Sequence, residues 1–137
     1  CLPPLFAAVV VAHYAPRTLP CSCGFPCCKG HAVNPEWMGA VRTIAELAAS
    51  EALPGCVSYR SMREACIRRY FGDKVSMSEE AESVGIHINT ASDHYSKIKL
   101  WLKGPRRVSG DQAPKKGIQQ RALDLAHALM VSEKLSL

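Results

Sequence analysis

Between Met77 and Lys99 the chain reads MSEEAESVGIHINTASDHYSKIK, and one glycine in that stretch fixes what can fold there. A helix-turn-helix makes definite steric demands. A small residue must sit in the first helix where the second crosses it, and Ala81 meets this. A glycine four residues later permits the sharp turn, and the next residue plugs the core; Gly85 and Ile86 meet both demands. A polar cap then opens the second helix, expected at Asn89 or Thr90. In such a motif the second helix lies in the major groove, with its N-terminal residues facing base edges. The candidate contacts are therefore Asn89, Thr90, Ser92, Asp93, Ser96, Lys97 and Lys99. The polar side chains are suited to base edges, and Lys97 and Lys99 to phosphates. Asp93 would repel phosphate, but it can accept from cytosine N4 or orient a neighbouring lysine. Ala91 and His94 stand where aliphatic residues usually pack, with Tyr95 available to supply bulk.

The competing reading is a plain helical hairpin that touches no nucleic acid. Flanking charge favours DNA. Arg60, Arg63, Arg68, Arg69 and Lys74 precede the motif, and Lys97, Lys99, Lys103, Arg106 and Arg107 lie in or after its second helix. Each alone reads as a solvated surface charge, but their clustering predicts strongly salt-dependent binding.

The rest of the chain is read as helical, six segments in all, with no competing strand pattern. Leu5 to Tyr14 is apolar and fits either a helix or a strand. Asn34-Pro35-Glu36 is a helix start, with an Asn cap, Pro at the first position and an acid in the first turn. Trp37, Val41, Ile44, Leu47 and Ala48 follow at helical spacing, as far as about Ser50. A second segment runs from about Ser58 to Tyr70, with Met62, Cys66, Ile67 and Tyr70 as its stripe and Gly72 as its stop. Ser76 to Glu79 is a capping box for a short helix to Val84. The helix after Gly85 continues to Lys103, where Gly104-Pro105 stops it. Residues 104–117 are a basic linker, and a last helix spans about Lys115 to Ser132. The expected organisation is an N-terminal segment over 1–34, a helical domain over 35–103 with the motif at about 76–103, and a linker plus C-terminal helix over 104–137.

Seven cysteines are present, and four of them fall within eight residues, at Cys21, Cys23, Cys27 and Cys28, just before His31. Neighbouring Cys27 and Cys28 cannot both bridge the local pair without strain. Dense thiols with a histidine, in a loop eased by Gly24, Pro26 and Gly30, read as a zinc clip. Zinc takes four tetrahedral S or N ligands, and three Cys with one His is a common set. The expected ligands are Cys21, Cys23, Cys28 and His31, with Cys27 able to replace a neighbour. Such a filled site is structural, with no position open for a catalytic water. Reduced structural cysteines and disulfides stay open as alternatives. Cys56 and Cys66 lie in apolar helical surroundings that suit buried free thiols.

The 137 residues carry 17 Lys or Arg against 12 Asp or Glu, a net charge of +5. That balance permits an anionic partner and proves none. The longest uncharged apolar run, Leu5 to Ala12, is far short of the ~20 residues of a spanning helix, so no membrane segment is expected. An enzyme is not expected either. The sequence has no Gly-rich phosphate loop, no HExxH and no GxSxG. Cys28 and His31 are close enough for nucleophilic chemistry, but the crowd of other thiols favours metal. A pure interaction module remains the third class, and residues 115–137 could form a homodimer matching a palindromic site.

Four pieces together carry a resemblance: Cys21 to Cys28, Asn34-Pro35-Glu36-Trp37, Arg69-Tyr70-Phe71-Gly72, and Ala81 to Ile98. Over roughly residues 20–103 the layout resembles the short Q-type late-gene antitermination proteins of lambdoid phages. Its helix-turn-helix half is equally similar to region 4 of sigma factors. The residues read as an all-α protein with a zinc-clipped loop, and the resemblance implies that it works in the bacterial cytoplasm and binds double-stranded DNA near a late promoter. It also implies that the protein joins paused RNA polymerase and carries it through terminators. A simple repressor or activator is the runner-up, and after it a polymerase-binding protein that touches no DNA.

Overall fold

The computed structural model describes residues 2–20, 31–55, 57–104 and 117–135. In chain order the elements are α1 (Pro4–Tyr14), β1 (Thr18–Pro20), β2 (His31–Val33), α2 (Pro35–Glu51), α3 (Arg60–Tyr70), α4 (Met77–Val84), α5 (Ile88–Lys103) and α6 (Ile118–Leu135). The fold is thus mostly helical.

The apolar N-terminal stretch is a helix. Its run of three valines favours a strand by propensity alone, but Pro4 presets the first helical φ and burial does the rest. Ala8, Val9 and Ala12 are sealed inside, and Leu5, Phe6, Val10 and Val11 pack half-buried on the same core. The Trp37 indole N–H donates to the Ala12 carbonyl at 3.2 Å, fixing the last turn of α1 against α2.

Asn34 caps α2 as its sequence predicts. Its side-chain oxygen accepts from the Glu36 N–H at 3.1 Å, and its amide donates to the Pro16 carbonyl at 2.8 Å. Such a cap stabilises a helix by about 1 kcal/mol. Trp37, Ala40, Val41, Ile44, Ala45 and Ala48 form the buried face of α2. Between α1 and α2, where the sequence shows no strand pattern, the chain forms a short antiparallel ladder instead, with Thr18 opposite Val33, Leu19 opposite Ala32 and Pro20 opposite His31. Three residues per strand carry no alternation for sequence reading to detect.

The helices close on one core. α2 lies between α1 and α3, α3 packs on α4 and α5, and α6 touches both α1 and α5. Val9, Val41, Ile44, Leu53, Ile67, Ile98 and Leu102 are fully buried there. Burying one such side chain contributes roughly 1.5–3 kcal/mol. α6 begins at a tight joint. A β-carbon on Gly117 would run into the Leu102 carbonyl and the backbone of Lys103 and Gly104, so only glycine fits. The predicted linker at 105–116 lies outside the described residues. No helix among the described residues is long and apolar enough to cross a membrane.

Candidate nucleic-acid interface

α4, the turn at Gly85 and α5 form the candidate interface, and local chemistry sets each part. The Ser76 hydroxyl accepts from the Glu79 N–H at 3.4 Å, which supplies the Ser arm of the predicted capping box. At the other end of α4, Gly85 is left-handed at φ +76°. The Ile86 N–H reaches the Ala81 carbonyl at 3.0 Å and the Gly85 N–H reaches Glu82 at 3.2 Å. This paired closure is the Schellman arrangement, which a residue bearing a β-carbon forms only with strain. Ala81 is buried as expected, and Ile86 packs half-buried on the core.

α5 starts earlier than expected. Its cap is His87, neither Asn89 nor Thr90: the His87 Nδ1 accepts from the Asn89 N–H at 3.1 Å. Histidine ranks outside the usual capping residues, so composition gave no signal for it. Asn89 and Thr90 consequently stand in the first turn, both exposed.

The two sides of α5 differ completely. Ala91, His94, Ile98 and Leu102 are buried, with Tyr95 half-buried beside them. His94 therefore does occupy an interior position. Asn89, Thr90, Ser92, Asp93, Ser96, Lys97 and Lys99 are all exposed, so every predicted contact shares the outer surface of one helix. Lys97 reaches Asp93 at 3.1 Å, one turn away. Lys103 of the basic flank joins the same exposed surface, as do Ile88 and Leu100, which were not anticipated.

The basic flank before the motif is used differently. Arg63 donates to the Ala45 carbonyl at 3.0 Å and to the Ser58 carbonyl and hydroxyl at 3.0 and 2.8 Å. Arg68 grips Asp73 through Nε and Nη2 at 3.0 and 2.9 Å. Arg69 donates to the Val75 carbonyl at 2.9 Å and lies over the Tyr95 ring at 5.6 Å. Arg60 pairs with Glu64 at 3.6 Å. Arg63, Arg68 and Arg69 hold the turns around α3 together, while the Arg60 pair lies within the helix. Lys74, Lys99 and Lys103 are exposed, and Arg106 and Arg107 lie outside the described residues.

The candidate metal ligands Cys21, Cys23, Cys27 and Cys28 lie outside the described residues. His31 belongs to β2 by its backbone, and its side chain also lies outside the description. Among the described residues no group of three His, Cys, Asp or Glu stands together. Cys66 is a buried free thiol, as its apolar surroundings suggest. Burial pushes it up to about 12 against a weaker opposing effect of Arg69, so it stays protonated and unreactive at neutral pH.

No protein-family model matches the chain, no curated protein matches it, and no solved structure matches its fold.

Proposed function

We propose that the protein is a helix-turn-helix regulator of transcription in the bacterial cytoplasm, a Q-type antiterminator that binds promoter DNA and RNA polymerase. One observation carries the reading. α5 has a sealed inner side and an outer side made of the seven polar or basic residues Asn89, Thr90, Ser92, Asp93, Ser96, Lys97 and Lys99, and it directly follows the left-handed Gly85 turn. In this reading α5 enters the major groove. Asn89, Thr90, Ser92 and Ser96 meet base edges, and Lys97 and Lys99 meet phosphates. Asp93 serves through Lys97, its neighbour at 3.1 Å, which suits the expectation that it orients a lysine.

A structural zinc held by four of Cys21, Cys23, Cys27, Cys28 and His31 belongs to the same proposal. Its support is the ladder around that segment. β1 is exposed along its whole length, and a two-stranded ladder this short is marginal in water on its own. The cysteine segment leaves at Pro20 and returns at its ladder partner His31, so a metal clip there would fasten the open end.

In vitro transcription through a terminator, with purified RNA polymerase and a late-promoter template, tests the function. Readthrough that depends on the protein and on promoter-proximal DNA is expected, and the double variant Asn89→Ala with Lys97→Ala should abolish it together with specific binding. Specific binding without readthrough would leave a repressor or activator. Polymerase binding that survives without DNA would leave the interaction module.

A further inference from the structure

A cleft of about 570 Å³ lies between the end of α1, the base of the ladder and the turn that joins α3 to α4. Its polar lining is dominated by donors. His13, Arg17, Thr18 and Lys74 face it, with Asp73 as the one carboxylate. That carboxylate is already engaged. Arg68 holds Oδ2 from behind at 2.9 Å, while the Lys74 N–H at 2.9 Å and Arg17 at 3.6 Å reach Oδ1. The Arg17 guanidinium is anchored to a neutral group, the Gly72 carbonyl, at 2.6 Å. In the lining itself Arg17 and Lys74 against Asp73 leave one positive charge in surplus, and Arg68, outside the lining, adds a second by pairing with Asp73.

His13 adds a polar ring that is held in place from outside the cleft. The Gln119 carbonyl oxygen accepts from the Tyr70 hydroxyl, so the Gln119 amide N–H₂ faces His13 Nδ1, at 2.9 Å. Nδ1 therefore accepts from the Gln119 amide, which holds the ring in place. A second cleft, lined by Arg69, Lys74, Val75, Ser76 and Glu79, shares Gly72, Asp73 and Lys74 with the first. Lys74 thus stands where the two meet, on the way to the start of α4.

We infer that the His13–Arg17–Thr18–Lys74 cleft is a phosphate-binding site that takes a backbone phosphate of the nucleic acid read by α5. Several donors converge on one hollow, which is the chemistry a phosphate needs. The continuation past Lys74 toward α4 favours a chain of phosphates over a single free ion. The nucleic-acid source rests on the DNA-binding reading above; the phosphate chemistry does not.

Two measurements on the whole protein test it. The first is binding to a random-sequence duplex across a salt series, since a phosphate contact is indifferent to sequence. Lys74→Gln should weaken binding several-fold and make the slope of log affinity against log salt shallower by about 0.9, one phosphate's share. The second is titration with inorganic phosphate, followed by NMR at His13, Arg17, Thr18 and Lys74. The wild type should shift at these residues, and Arg17→Gln and Lys74→Gln should not. Arg17→Gln also removes the Gly72 bond, but Lys74→Gln leaves it in place, so a misfolded turn cannot pass for a lost site. Phosphate shifts with an unchanged salt slope would overturn the nucleic-acid source and leave a free phosphate ligand. Absence of both effects would overturn the site. A wild type that binds no duplex would overturn the DNA reading, with the phosphate titration still deciding the cleft.

Discussion

α3 and α5 are the two basic helices of this protein, and they spend their cations in opposite directions. α3 carries Arg60, Arg63, Arg68 and Arg69, and the last three are tied to carbonyls, a hydroxyl and Asp73. α5 carries Lys97, Lys99 and Lys103, all of them exposed. The difference follows from the head groups. A guanidinium is a planar fork that can satisfy several turn carbonyls at once, while an ammonium is a strongly hydrated point charge that stays in water. Counting cations along the sequence treats the two helices alike. The geometry makes one a scaffold and the other a surface.

The largest expected effect tests the inner side of α5, on which its outer surface depends. Ile98 is fully buried, and Ile98→Ala should lower stability by about 2–5 kcal/mol in urea denaturation. A change well under 1 kcal/mol would mean that α5 is not packed as described.

Next comes the scaffold role of α3. Arg63→Gln removes three charge-assisted hydrogen bonds that join α2 to the loop before α3. A loss of about 2–3 kcal/mol is expected, with the salt dependence of DNA binding unaltered. A shallower salt slope would instead make Arg63 a phosphate contact and erase the contrast between the helices.

How much of this was legible beforehand depends on how local the cause was. The Asn34 and Ser76 caps and the Gly85 turn each follow from a few adjacent residues, and sequence alone located them. The seven outward residues of α5 were likewise readable, because helical spacing separates them from Ala91, Ile98 and Leu102. The ties of Arg63 and Arg69 were not, since the carbonyls of Ala45, Ser58 and Val75 are groups that side-chain identity does not disclose. The cleft was illegible for the same reason. His13, Arg17 and Lys74 converge only once α1, the ladder and the α3–α4 turn are in place.

His87 gives a smaller effect. His87→Ala should cost about 1 kcal/mol through loss of the α5 cap, and His87→Asn should restore it. Equal stability of all three proteins would show that the imidazole contributes no capping.

The smallest stability change belongs to the outer surface. Lys99→Gln should alter the unfolding free energy by no more than about 0.5 kcal/mol. In the salt series the same variant should lose about 0.9 of slope. Such a split, fold intact and binding weakened, is the opposite of what Arg63→Gln should give.

The joint at Gly117 has a consequence for the topology of the chain. Gly104 and Gly117 meet against the same end of α5 and α6 packs on α1 as well, so its docking is held by these contacts and not by the length of chain between the glycines. Closing a longer connection is entropically mild, about 0.6 kcal/mol for each doubling of its length. A reporter domain inserted between the two glycines should therefore leave the helical core assembled. A single methyl group at Gly117 should disturb it more than that whole insertion does.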